Sequence, residues 1–309
     1  MAFATVPAST GPGGVKEAPD QPMAPARRGR RMTPYFLLLP GMLYLALFFL
    51  VPLMTLAGTS TQTRPAGAEI GVFEQTFRFA NYTDALSDYS DVFIRSFAYA
   101  GIATVLAFAI GYPLAYAIAF RAGRWKNLLL VMVIAPFFVS FILRTIAWRQ
   151  ILADEGWAVD ALQAVGLLSA DDRLLGTPFA VVAGLTYNFL PFMTLPIYAS
   201  LERVDPRLIE AAGDLYANGF TGFRKVTLPL SMPGVAAGTL LTFIPASGDF
   251  VNAALLGTPA TSMVGNVVDS QFFRVSNYPT ASALSFILMA SIFVLVVAYV
   301  WRTSSEELV

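Results

Sequence analysis

The stretch Glu210-Ala-Ala-Gly-Asp-Leu-Tyr-Ala-Asn-Gly-Phe-Thr-Gly-Phe-Arg-Lys-Val-Thr-Leu-Pro229 is a polar interruption between two long apolar runs. Just ahead of it, Asp205 can accept orphan amide bonds and Pro206 loses nothing at a first helical position, so a helix is expected from Pro206. Leu208, Ala211, Ala212 and Leu215 then fall on one helical face, with Arg207, Glu210 and Asp214 on the others. Asn218-Gly219 reads as a left-handed stop. A second short segment, Thr221 to Val226, is cut off by Leu228-Pro229, and Met232-Pro233 opens the next apolar run. Two short helices displayed between membrane spans form a surface suited to docking.

The rest of the chain supplies that membrane context. Of its 309 residues 56% are hydrophobic and 13% charged, about half the charged share of a soluble domain. Histidine and cysteine are both absent, which removes the usual ligands of zinc, haem and iron-sulfur sites and the common nucleophile constellations. Lysine occurs only at Lys16, Lys126 and Lys225, and no Gly-x-x-x-x-Gly-Lys-Ser/Thr is present, so any ATP used must be held by another chain. A formal net charge of zero argues against a nucleic-acid partner.

Residues 1–33 are rich in Pro, Gly, Ala and Ser, end in an arginine cluster at 27–31, and are expected to form a disordered tail. The apolar run after them is too long for a cleaved export signal and is expected to remain as a first span. About 20 mostly apolar residues cross a bilayer. Stretches meeting that length lie at about 34–57, 93–120, 128–148, 178–200, 233–256 and 279–301, making an all-α protein of six transmembrane helices with a loop at 201–232 and a tail at 302–309. Thirteen of the twenty basic residues fall on the side of the N-terminus, so both termini and the Glu210 loop are expected in the cytoplasm. The longer connections at 58–92 and 149–177 then face outward. Trp157 to Leu168 is too short to span and suits a position at the outer ends of the helices. Pro113, Pro136, Pro191, Pro196 and Pro245 lie inside spans, where each frees a carbonyl that a neighbour or a hydrated cavity must satisfy.

Glu210-Ala211-Ala212 followed by Val226-x-Leu228-Pro229 resembles the "EAA" coupling loop of the membrane subunits of ATP-binding-cassette importers. Tyr216 stands where that pattern has a glycine, between Gly213 and Gly219. Gly111-Tyr-Pro-Leu-Ala-Tyr116, Ser140-Phe-Ile-Leu-Arg-Thr-Ile-Ala-Trp148 and Phe243-Ile-Pro-Ala-Ser-Gly-Asp-Phe250 resemble spans of the spermidine/putrescine-type branch, which shares much of its framework with permeases for sulfate, iron or phosphonates. The resemblance implies the type I importer fold in a bacterial inner membrane. It implies as partners an ATPase dimer carrying ATP and Mg, a second permease subunit, an extracytoplasmic solute-binding protein and the surrounding lipid, with no cofactor on this chain.

On that resemblance Glu210 and Asp214 would contact the ATPase, and Ala211 and Ala212 would let the helix approach its groove, with Gly219, Leu228 and Pro229 completing the coupling loop. The plainer alternative packs both alanines on their own protein. For the solute path the candidates are Asp249, Arg144, Trp148, Tyr187 and Asn188. An ionisable group within a span costs about 2.5–3.5 kcal/mol on insertion scales and is a functional candidate by default. Asp249 could meet a polyamine ammonium or pair with Arg144. Trp148 and Tyr187 could face a cation, or Trp148 could anchor at the interface, and Asn188 could bond a freed carbonyl. Asp269 and Arg274 read as solvated residues of an external link. A lipid-directed enzyme finds no supporting cluster of acids or motif serines. A self-sufficient channel or secondary carrier is the remaining alternative.

Overall fold

The computed structural model describes residues 33–169, 171–214 and 218–306. The tail expected at 1–33 lies outside them except for its last residue, as do Leu215 and Tyr216. The chain divides into two units at Pro52–Leu53. The first holds α1 (Thr33–Leu45), a π-helical turn, Ala46–Leu50, and the first two residues of α2 (Val51–Ser60), which continues into the second. Pro40 lies inside α1, and the apolar side chains from Leu37 to Val51 are exposed, as suits a helix bathed in lipid.

The second unit is all-α apart from a hairpin of two-residue strands, β1 (Gln62–Thr63) and β2 (Glu74–Gln75), paired antiparallel. Asn81 ties this hairpin down, its Nδ2 donating to the carbonyls of Ser60 and Gln62 at 2.9 and 2.8 Å. Helix α3 (Ala80–Tyr116) starts well before the stretch expected at 93–120 and bends at Tyr89, where φ is −122° and ψ 15°. Asp84, Asp88 and Asp91 keep its first turns below any hydropathy threshold. The segment is helical because Ala85 and Phe93 pack on Val264, Ala283 and Leu284.

Helix α7 (Pro178–Leu201) lies at the centre, packed on α3 and on α10 (Leu228–Ser247). Small residues set these contacts. A Cβ on Gly111 would come within 2.8 Å of Thr194 Oγ1, and one on Gly238 within 2.9 Å of the Met193 carbonyl. Close backbone approach of this kind drives helix association where no hydrophobic effect operates between helices. Ala100, Ala103 and Ala107 of α3 are fully buried on the same principle, against Val181, Leu185 and Met193 of α7.

Two expected spans are broken. The stretch at 128–148 is two helices, α4 (Lys126–Ile134) with a 3₁₀ turn Ala135–Phe138, and α5 (Phe141–Ile151), bent by 96°. Pro136 sits at the start of that 3₁₀ turn, and Val139 and Ser140 then have extended ψ values of 138° and 136°. The missing amide and the ring of proline block continuation of α4. The stretch expected at 233–256 is helical from Leu228 but stops at Ser247, and Gly248 to Phe250 lead into α11 (Val251–Leu256). The short helix α6 (Trp157–Ala164) buries Val159 and exposes Trp157.

Two further short helices, α8 (Pro206–Asp214) and α9 (Gly219–Gly222), precede α10, while α12 (Val264–Asp269) precedes α13 (Tyr278–Glu306). The tail expected at 302–309 is helical as far as Glu306. Among the described residues five helices are long and apolar enough to cross a membrane, or six if the bent pair counts as one span.

Side-chain contacts define the two ends of the bundle. At one end the Arg95 Nε donates to the Ser262 carbonyl at 2.9 Å and the Val264 amide to Ser96 Oγ at 2.8 Å. At the other, the Tyr112 and Ser231 hydroxyls lie 2.7 Å apart and Lys126 Nζ pairs with Glu202 Oε1 at 2.8 Å. The Glu210 segment connects α7 to α10 at this second end.

Candidate functional site

The segment between α7 and α10 is built locally. Asp205 Oδ1 accepts from the Arg207 amide at 2.9 Å and so opens α8, while Glu210, Ala211 and Asp214 are exposed and Ala212 is half-buried. Ala212 faces α9, where a Cβ on Gly222 would touch its own at 3.9 Å. Among the described residues no side chain bonds or pairs with Glu210 or Asp214. Asn218 does not provide the left-handed stop expected of Asn218-Gly219. Its φ of −67° and ψ of 162° are extended, and its Oδ1 accepts from the Thr221 amide at 2.8 Å, so it starts α9 rather than ending α8. Asparagine serves either end of a helix, and the packing of α9 on α8 selects this use. Leu228-Pro229 does not cut the chain either. A π-helical turn, Phe223–Thr227, carries α9 straight into α10, and its wider ladder accommodates the proline ring in the first turn of α10.

The solute-path candidates converge at the broken spans. Asn188, 1% exposed in α7, donates from Nδ2 to Thr145 Oγ1 of α5 at 3.2 Å and to Asn252 Oδ1 of α11 at 3.0 Å. It bonds these side chains rather than a carbonyl freed by proline. Asn252 in turn donates its amide to Asp249 Oδ1 at 2.7 Å. Gly184 makes room for it, because a Cβ there would lie 2.7 Å from Asn252 Oδ1. One buried polar cluster thus joins the second halves of both broken spans to the central helix.

Arg144 is 8% exposed, and its guanidinium lies 5.6 and 5.7 Å from the ring centroids of Phe137 and Phe141. No ion pair joins Arg144 to Asp249 among the described residues, which corrects that expected alternative. The geometric reason is that Asp249 Oδ1 caps α11, whose first free amides compete for the carboxylate. Four buried atoms of the region have no partner among the described residues: Arg144 Nε and Nη1, Asn188 Oδ1 and Asn252 Nδ2. Trp148 and Tyr187 pack against each other at a tilt of 58°, ring centroids 5.3 Å apart, and both are half-buried. Thr145 and Asn252 are members that sequence reading missed. The signal for Asn252 is its place three residues after Asp249, the spacing at which a capping carboxylate meets an amide.

A central helix packed by small residues, two broken spans joined to it by a polar cluster, and a short exposed helix pair at one end define a helical bundle of the membrane-spanning kind. Residues 107–303 match the family described as binding-protein-dependent transport system inner membrane component, and the chain belongs to that family as a multi-pass membrane protein. It is 39% identical over 257 residues to the spermidine/putrescine transport system permease protein PotB of Haemophilus influenzae, covering 83% of this chain and 89% of the relative. To the PotB of Escherichia coli K12 it is 34% identical over 262 residues, covering 84% and 94%. Its fold is similar to that of a bacterial ABC transporter involved in the import of the acidic polysaccharide alginate, with a TM-score of 0.68 at 16% identity over 88% of this chain and 95% of that one.

Proposed function

We propose that this chain is one permease subunit of an ATP-binding-cassette importer that moves a polyamine of the spermidine/putrescine class. The similarity to two spermidine/putrescine permeases across 83% and 84% of this chain carries the reading. ATP and Mg are held by a separate ATPase dimer, since this chain has no phosphate-cradling loop. A second permease subunit completes the path, a solute-binding protein delivers solute from outside, and both termini and the α8–α9 pair face the cytoplasm.

The geometry supports a mechanical route. Closure of the ATPase dimer presses on α8 through Glu210 and Asp214, and Ala212 passes the load to α9. From Gly219 to Ser247 the chain is one 29-residue helical run, about 40 Å long at ~1.5 Å per residue. Its far end is the break at Gly248–Phe250, beside the cluster of Asn188, Asn252 and Thr145. A push on one end therefore tilts the hinge at the other. Coupling of this kind needs two discrete arrangements that both sites bias, and the unsatisfied atoms of Asn188, Asn252 and Arg144 are groups that a second arrangement, or passing solute and water, can satisfy.

The test is uptake of labelled spermidine and putrescine into proteoliposomes holding the full complex, with and without ATP and binding protein. ATP-dependent uptake of either polyamine is expected. Its absence overturns the solute, and uptake by this chain alone overturns the powered importer in favour of a self-sufficient carrier.

A further inference from the structure

A cavity of about 620 Å³ lies beside the break after α10, lined by α11, α12, the π-helical turn Ser270–Arg274 and Tyr89 at the bend of α3. Its volume falls in the range of small-molecule sites, ~300–1,000 Å³. All of these elements belong to the end of the bundle opposite the α8–α9 pair. Sequence reading placed Asp269 and Arg274 in a solvated link, whereas Asp269 closes α12, is half-buried and lines the cavity.

Among its polar groups the lining offers two acceptors to a ligand that donates hydrogen bonds. Asp269 forms no ion pair among the described residues, so its carboxylate is a free acceptor. Gln271 commits its amide nitrogen to Tyr89 Oη at 2.8 Å, which leaves Oε1 as a buried acceptor with no partner. An ammonium has three donors and no lone pair, so it is chemically matched to acceptors of this kind. Tyr89 and Phe250 add aromatic faces suited to a cation and to the methylenes between amines. The basic residue on the lining, Arg274, is exposed.

Resting on the polyamine reading above, we infer that this cavity is an outer binding site for an alkylammonium solute, with Asp269 and Gln271 Oε1 as its acceptors. The site lies one residue from the cluster, since Phe250 lines it and Asp249 begins the capped turn. Solute released at this end of the bundle is held there before it reaches the hinge. A second cavity of about 360 Å³ at the same end is lined by Arg64 and Arg78, a basic lining that gives an internal contrast.

The chain has no cysteine, which permits a direct test on the full complex in membranes without nucleotide. Ser270→Cys reports on the proposed site and Ser276→Cys on the basic cavity. With spermidine at millimolar concentration and ionic strength held constant, modification of Ser270→Cys by a small neutral maleimide is expected to slow at least threefold. The rate at Ser276→Cys should not change. Adding Asp269→Asn to Ser270→Cys should abolish the protection, and Asp269→Glu should retain part of it. No slowing at 270, equal slowing at 276, or protection that survives Asp269→Asn overturns the inference. ATP-driven polyamine uptake is measured on the same preparations. Uptake without site protection sinks this site alone, and loss of both sinks the polyamine reading with it.

Discussion

The α8–α9 pair and the buried cluster at the broken spans sit at the two ends of one helical run and are built on opposite terms. The pair is exposed, is held by its own caps at Asp205 and Asn218, and keeps Glu210 and Asp214 free of side-chain partners among the described residues. The cluster is buried, draws Thr145, Asn188 and Asn252 from three helices, and leaves Asn188 Oδ1 and Asn252 Nδ2 without a partner among the described residues. A contact surface for another chain must leave its groups unspent, whereas a hinge inside the bundle must be held by a few bonds that can be exchanged. The difference separates substitutions that alter coupling from those that alter stability.

The largest effect is expected at the exposed end. Glu210→Lys reverses the charge on the surface proposed to meet the ATPase, so ATP-driven uptake should fall at least about tenfold, with membrane insertion and thermal midpoint unchanged. Uptake at the original rate would remove the distinction between the two ends. Next comes Asn188→Leu, which strands the groups that Asn188 bonds. Its cost to stability is expected at about 1–3 kcal/mol, read as a lowered unfolding midpoint of the purified complex. An unchanged midpoint would mean that the cluster does not hold the broken spans.

A smaller effect is expected at Asp249, whose Oδ1 caps α11. Asp249→Ala should cost about 1 kcal/mol, whereas Asp249→Asn keeps a capping oxygen and should cost only tenths. If uptake is lost in Asp249→Asn while the midpoint holds, the charge itself acts on the solute, and the cluster is more than a hinge. Smallest is the exposed Lys126–Glu202 pair near the α8 end. The bond to Lys126, with help from Tyr198, holds the Glu202 carboxyl below its ordinary pKa. A lowered pKa stabilises the folded state above the unfolded-state value, and that contribution disappears as pH falls through the folded-state value. The midpoint difference between wild type and Glu202→Gln should therefore be small at neutral pH and vanish in acid. A difference that persists in acid would show that the pair is held by something other than its charge.

What could be read ahead of the structure follows from how far each feature reaches along the chain. The start of α8 was legible because Asp205, Pro206 and the face of Leu208 and Ala211 lie within two turns. The role of Asn218 was not, since the same residue type stops or starts a helix and its choice depended on α9 packing back through Gly222 on Ala212. Both breaks escaped a hydropathy reading because apolar runs resume within a few residues of Val139 and of Gly248. Pro136 marked one of them, yet Pro191 and Pro196 lie inside an unbroken α7, so proline alone does not tell a kink from a tolerated ring.

Composition and local pattern by themselves determined a membrane-embedded helical chain with a polar helix pair between two apolar runs, because those properties depend on hydrophobic length and on contacts a few residues apart. Tertiary structure alone decided where the spans break and that Asn188 meets partners 43 and 64 residues away. It also decided that Asp249 caps a helix instead of pairing with Arg144. Those outcomes follow from which buried donors and acceptors are left to satisfy one another once the helices have packed, and no sequence neighbour carries that information.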